Sequence, residues 1–461
     1  MSGSSPASVQ NRPGAFIQLL KRLHFYIGLF VGPFLLVAAL SGIVYALTPQ
    51  LEDYLYADAL HTDSQGAPLS LAAQVRAAQA AVDPSSRITA VRPAPAAGDT
   101  TRVMFNAPGL GASESRAIFI DPVTGEVKGD MKVYGTSGVL PLRTWLDQFH
   151  RGLLLGDVGR IYSELAASWL WVATLGGLVL WASRRSRTRG KTPAGLRSLH
   201  GSTGVWLLAG LLFFSATGLT WSQYAGSNIG ILRAYYGWST PVVSTELDSS
   251  TAMKMPMDEH AEHHMHMDNM PKMEAVDPDV FDQVMAAART QHIDAAKVEI
   301  KPAIQPGKAW TVNEIDRRWP THVDAVAIDP GSLAVVDHVL FAQYSLPAKL
   351  TRWGIDAHMG VLFGLANQLL LIGFAGGLVV MVVWGYLLWW RRRPTFNDIP
   401  QPSLIDAWRE LGLAQRILAI VISTVLGICL PVLGASLLVF LAVDFILGFK
   451  ASFSDLKQRQ L

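Results

Sequence analysis

The chain runs to 461 residues, half of them hydrophobic and only 16% charged, with a formal net charge of +2. It is too apolar for a soluble chain of this length and indicates a polytopic membrane protein, while the near-neutral charge gives no argument for nucleic-acid binding. The single cysteine, Cys429, lies in an apolar run, which excludes internal disulfides, thiolate-bound iron–sulfur clusters and CxxC redox chemistry.

Residues 1–48 pair a basic N-terminus (Arg12, Lys21, Arg22) with an uncharged stretch over 25–47, longer than the roughly 20 residues a bilayer requires. That stretch exceeds a signal-peptide core of roughly 7–15 residues and lacks a small-x-small cleavage pattern, so it is expected to remain as an anchor. Residues 49–142 form a first extramembrane domain. "LSLAAQVRAAQAA" (69–81) has helical periodicity, strand-type alternation follows at 87–93, 101–106 and 115–120, and "DPVTGEV" (121–127) closes a turn. Residues 143–183 carry His150 at a membrane border and a second, marginal apolar stretch at 165–182. A basic loop over 184–199 contains Arg184, Arg185, Arg187, Arg189, Lys191 and Arg197.

The uncharged run 201–232 predicts a third span over 200–232, followed by a linker at 233–276. The second extramembrane domain covers 277–346. It opens with Asp277 as N-cap and Pro278 at the first helical position, predicts a helix over 277–291, then strands at 297–300, 309–313 and 322–328. Its "DPGSLAVV" (329–336) has Gly331 directly after Pro330, which leaves the turn type open. Residues 347–390 hold His358 and a fourth span, 391–412 a loop opening with Arg391, Arg392 and Arg393, and 413–461 a last apolar region. That region is either one helix kinked at Pro431 or a tight pair, giving five or six spans in all. All the basic clusters fall on one side if the N-terminus is cytoplasmic, which puts both extramembrane domains outside.

The two halves share one plan. "LHFYIGLFVGPFLLVAALSG" (23–42) aligns without gaps to "LHGSTGVWLLAGLLFFSATG" (199–218), matching Leu23, His24, Gly28 and Gly42 to Leu199, His200, Gly204 and Gly218. "WLDQFHRGLLLG" (145–156) and "WGIDAHMGVLFG" (353–364) share Trp-x4-His-x-Gly-x3-Gly. The expected architecture is an α-helical polytopic membrane protein. Its four-span core is built from two repeats, with a C-terminal span or hairpin and two small α+β extracytoplasmic domains.

On these paired elements, and on "IDPVTGEV" and "AIDPGSLAVV", the chain resembles the PepSY-associated transmembrane proteins of bacterial inner membranes over roughly residues 15–394. The resemblance implies PepSY-like periplasmic domains. It also implies similarity to ferric-siderophore reductases that carry haem b in the membrane domain.

The topology sets His24 and His200 at the cytoplasmic border, and His150 and His358 at the extracytoplasmic one. Taken singly, each is an ordinary solvated border residue. Four in equivalent places, in a family with haem-bearing members, are expected to act as axial ligands of two bis-His haems. Filling both axial positions leaves none open for oxygen or substrate, which suits electron transfer. The neighbouring glycines would let a flat macrocycle approach the backbone. His61, His292, His322 and His338 have no such counterparts. Trp145 and Trp353 are expected as interfacial anchors. Arg160 is either a surface residue or a partner for a propionate.

"MKMPMDEHAEHHMHMDNMPKM" gathers Met253, Met255, Met257, His260, His263, His264, Met265, His266, Met267, Met270 and Met273 in the linker. Thioether and imidazole ligands suit copper, especially Cu(I). A linker whose composition has drifted is the alternative.

No nucleotide site appears. Gly190-Lys191-Thr192 is preceded five residues earlier by Arg185 rather than glycine, and "GLGASES" (109–115) lacks a third glycine. Electrons would then come from a membrane quinol or a cytoplasmic reductase. The expected activity is outward electron transfer to a periplasmic ferric complex, a ferric siderophore in the family's terms. A cupric reductase or copper-handling protein is the nearest alternative, and a haem-free scaffold whose PepSY domains bind a protein partner is one of another class.

Overall fold

The computed structural model describes residues 14–111, 113–135, 137–187, 195–247, 276–303, 305–391 and 404–458. Contacts divide the chain into two units. One comprises residues 1–40, 151–228 and 373–461, the other 41–150 and 229–372.

The second unit is built on an eight-stranded antiparallel sheet. Its strands are β1 (Arg87–Arg92), β2 (Thr101–Asn106), β3 (Glu114–Ile120), β4 (Val127–Tyr134), β5 (Val298–Lys301), β6 (Trp310–Glu314), β7 (Ala325–Ile328) and β8 (Val335–Val339). Their order is β4-β3-β2-β1-β5-β6-β7-β8, so the two α+β segments join edge to edge at Val91 and Ile300 instead of standing as separate domains. The β1 and β5 edges, which would otherwise be open, are thereby paired. Arg92 Nε donates to Glu299 Oε2 at 2.7 Å beside this seam.

One face of the sheet packs on helices Leu71–Ala80 and Asp279–Thr290, where Val75, Phe281, Val284, Val103, Ile118 and Val312 form a fully buried core. The helices are also tied at their ends. Asp282 accepts the Leu71 and Ala72 amides, both at 2.9 Å, satisfying two of the donors a helix N-terminus leaves open. The opposite face meets the short helix Ala57–Leu60. A Cβ at Gly129 would lie 2.5 Å from Ala59 Cβ, so only glycine admits that approach.

The hairpins β3–β4 and β7–β8 close with the same turn. In "DPVTGEV", Asp121 N donates to Glu126 O and Gly125 N to Asp121 O, both at 2.9 Å. In "DPGSLAVV", Asp329 N donates to Ala334 O at 2.9 Å and Leu333 N to Asp329 O at 2.8 Å. Leu333 takes φ 60° where Gly125 has φ 76°.

The first unit is helical. Candidate membrane spans are Ala15–Ala46, Gly156–Arg185 and Leu365–Arg391, and the helices Leu196–Trp206 and Leu208–Thr220, bent by 62°, count as a fourth if taken together. The chain is therefore a membrane protein. The run 201–232, read in the sequence as one span, is three helices: this bent pair, then Tyr224–Tyr235. The last begins where fully buried Glu164 accepts the Tyr224 and Ala225 amides at 2.9 and 3.0 Å. No proline stands at the bend. Gly204 and Gly210 instead receive Met381 and Phe374 from the Leu365–Arg391 helix.

The C-terminal region is a pair of helices, Leu413–Cys429 and Pro431–Gln458, rather than one kinked helix. Its second helix contributes Asp444, 1% exposed, which accepts from Tyr26 Oη and lies 3.8 Å from Arg22 Nε.

The Ala15–Ala46 span is not uniform. Residues Ile27–Val31 form a π-type turn, with Gly32 N donating to Ile27 O. Pro33 lacks the amide that would have paired with the Leu29 carbonyl, which accounts for the disturbance in this stretch.

Candidate functional site: two histidine pairs

The four repeated histidines fall into two pairs, one within each unit. In the first unit, His24 sits just before the π-type turn and His200 on the Leu196–Trp206 helix. Their ring centroids are 6.4 Å apart and their planes nearly perpendicular, at 81°. With roughly 2 Å for a metal–imidazole bond and roughly 1 Å more to each ring centre, two axial imidazoles have centres about 6 Å apart. The observed spacing fits that arrangement.

Both Nδ1 atoms are buried without a hydrogen bond. The carbonyls of Ala173 and Met381 lie near the His24 and His200 rings respectively. A bond from Nδ1–H to a backbone carbonyl, with Nε2 presented to a metal, is the usual way such an acceptor fixes a ligating tautomer. Space for the His24 ring comes from Gly177, where a Cβ would lie 3.2 Å from His24 Cε1.

In the second unit, His150 lies near the end of helix Pro141–Gly152 and His358 ends helix Leu346–His358. Ser41 Oγ is hydrogen-bonded to His150 Nδ1 at 2.8 Å, so a metal would be met by Nε2. Tyr45 stacks on the His150 ring at 6.5 Å and 27°, and the Arg143 guanidinium lies 4.9 Å from the Tyr45 centroid. Burial, and then the neighbouring His150, push His358 down to about 3, which keeps its imidazole neutral and able to ligate. Asn367 Nδ2 donates to the Ala357 carbonyl at 2.8 Å, anchoring the end of the His358 helix.

Several of the motif glycines have protein neighbours or make turns. Gly156 and Gly364 adopt φ of 60° and 57°, so they make the turns that follow each histidine helix. Gly42 backs the His150 ring, Gly204 accommodates Met381, and Gly218 meets Ala167. At Gly28, a helical position, an added Cβ would meet nothing within 4 Å.

Other candidates are placed as follows. Arg160 Nη2 donates to the Trp221 carbonyl at 2.9 Å, giving it a structural partner. Trp145 is 53% exposed and stacks on Phe149, consistent with an interfacial anchor. His61 bridges Asp53 and Asp99. The run holding Met253, Met255, Met257, His260, His263, His264, Met265, His266, Met267, Met270 and Met273 lies outside the described residues. Among the described residues no group of three or more His, Cys, Asp or Glu converges on a metal position. A bis-His haem needs only two protein ligands, because the macrocycle supplies the rest.

Sequence patterns located the four histidines but not Ser41, Tyr45 or Gly177, whose roles depend on packing between distant segments. A family model described as "PepSY-associated TM region" matches residues 21–392. No curated protein matches the chain.

Proposed function

Because the chain belongs to the PepSY-associated transmembrane family, we propose that it is a di-haem electron-transfer protein of the bacterial inner membrane, built from two repeats around a four-span core. In this proposal it reduces a periplasmic ferric complex, a ferric siderophore in iron acquisition. The 6.4 Å separation of His24 and His200, with both Nδ1 atoms buried and unpaired, carries the proposal.

Bound at the pairs His24/His200 and His150/His358, haem b would supply one-electron redox chemistry. The protein's own residues do the rest. Gly177 makes room for the His24 ring. The Ser41 hydrogen bond to Nδ1 and the stacked Tyr45 hold the plane of the His150 ring. The expected topology, with His24/His200 cytoplasmic and His150/His358 periplasmic, makes the pairs entry and exit points. The donor is a quinol or a cytoplasmic reductase. Each electron delivered converts Fe(III) in the substrate to Fe(II), which hard oxygen ligands hold less tightly.

The Met/His-rich run supports a second proposal, in which the same path ends at copper. Deleting residues 253–273 separates the two. Copper reduction is lost under the second and ferric-siderophore reduction is kept under the first. Purified full-length protein without Soret and α absorption bands removes both and favours a scaffold that binds a protein partner.

A further inference from the structure

The π-type turn after His24 has a partner on another helix. Pro33 cannot donate to the Leu29 carbonyl, and the Tyr386 hydroxyl takes that acceptor at 2.7 Å. Gly32 makes the contact possible, because a Cβ there would lie 3.2 Å from Tyr386 Cε2. Tyr386 belongs to the Leu365–Arg391 helix, whose Met381 packs on Gly204 and brings its carbonyl near the His200 ring. One helix therefore touches the neighbourhood of both histidines.

The turn matters for orientation. An extra residue inserted in an α-helix rotates everything before it by about 100° relative to the regular helix. His24 precedes the turn by three residues, so its direction depends on the turn persisting. An unpaired carbonyl within a span is costly, and the Tyr386 hydroxyl removes that cost.

We propose that Tyr386, through the Leu29 carbonyl freed by Pro33, is a positioning residue that holds His24 facing His200. The proposal deepens the function given above and rests on it for the haem, though the placement of His24 can be measured without haem.

The test uses full-length protein with Cys429→Ser, His24→Cys and His200→Cys, and a short bifunctional thiol reagent. Adding Tyr386→Phe is expected to slow cross-linking about tenfold. With Pro33→Ala also present, residue 33 supplies its own amide to Leu29, and Tyr386→Phe should make no further difference. In protein with both histidines intact, Tyr386→Phe should change the low-spin electron paramagnetic resonance signal and weaken haem retention roughly tenfold. Cross-linking and spectra that ignore Tyr386→Phe overturn the proposal. Haem present with Tyr386→Phe silent defeats this inference alone. Slowed cross-linking in a protein that never binds haem defeats the haem proposal alone.

Discussion

Gly177 lies directly against His24: a Cβ on that glycine would stand 3.2 Å from His24 Cε1, too close unless the ring gives way. The first histidine pair thus depends on a glycine from a helix remote in sequence. Gly177→Ala should change the absorption spectrum or haem content of this pair, even though alanine is the better helix former by about 1 kcal/mol. Gly373→Ala, at an exposed position of the Leu365–Arg391 helix where nothing lies within 4 Å, is the matched control and should leave the spectrum unchanged.

The seam between β1 and β5 should be acid-sensitive. Burial alone would raise the Glu299 pKa, but the Arg92 and Lys301 charges outweigh it and hold it below the ordinary 4.5. A carboxylate with a lowered folded pKa stabilises fully above its unfolded value, and that contribution fades as pH falls through the folded one. Protection of the Val91 and Ile300 amides, measured against the intrinsic exchange rate at each pH, should therefore fall below pH 4.5. Glu299→Gln should cost about 2 kcal/mol at neutral pH and remove most of that acid dependence.

His61 should behave in the opposite sense. Its hydrogen bond to Asp53 raises its pKa, with Asp99 adding to the effect and burial opposing it. Its contribution is present below the unfolded value of 6.5 and is lost as pH rises through the higher folded value. The difference in melting temperature between wild type and His61→Gln should be greatest below pH 6.5 and shrink in alkali.

Asp444 anchors the C-terminal helix pair beyond the matched family region. Removing it leaves the Tyr26 hydroxyl and Arg22 without their buried partner. Asp444→Ala should lower stability in detergent by about 3 kcal/mol, with Asp444→Asn intermediate because it still accepts from Tyr26.

Much of this was legible in the sequence because its signals are local. The alternation in 87–93, 101–106 and 115–120 became β1, β2 and β3, and the helical periodicities at 69–81 and 277–291 became the two helices covering the sheet. What could not be read depends on contacts between distant segments. Nothing in either half shows that Val91 will meet Ile300 and fuse two sheets into one. An uninterrupted apolar run such as 201–232 hides its breaks, because Glu164, which caps the helix at Tyr224, lies 60 residues earlier. The break at Pro33 was hidden in the same way, because Tyr386, which takes the Leu29 carbonyl, lies 357 residues away. The histidine pairing itself was readable only because two segments repeat the same spacing.

Haem quantification with reduced-minus-oxidised spectra of the purified full-length chain tests the central claim most directly. Two haems per chain are expected in the wild type, and one when His24 and His200 are both changed to alanine. A wild-type protein without Soret and α bands, or a spectrum indifferent to loss of both His24 and His200, would contradict it.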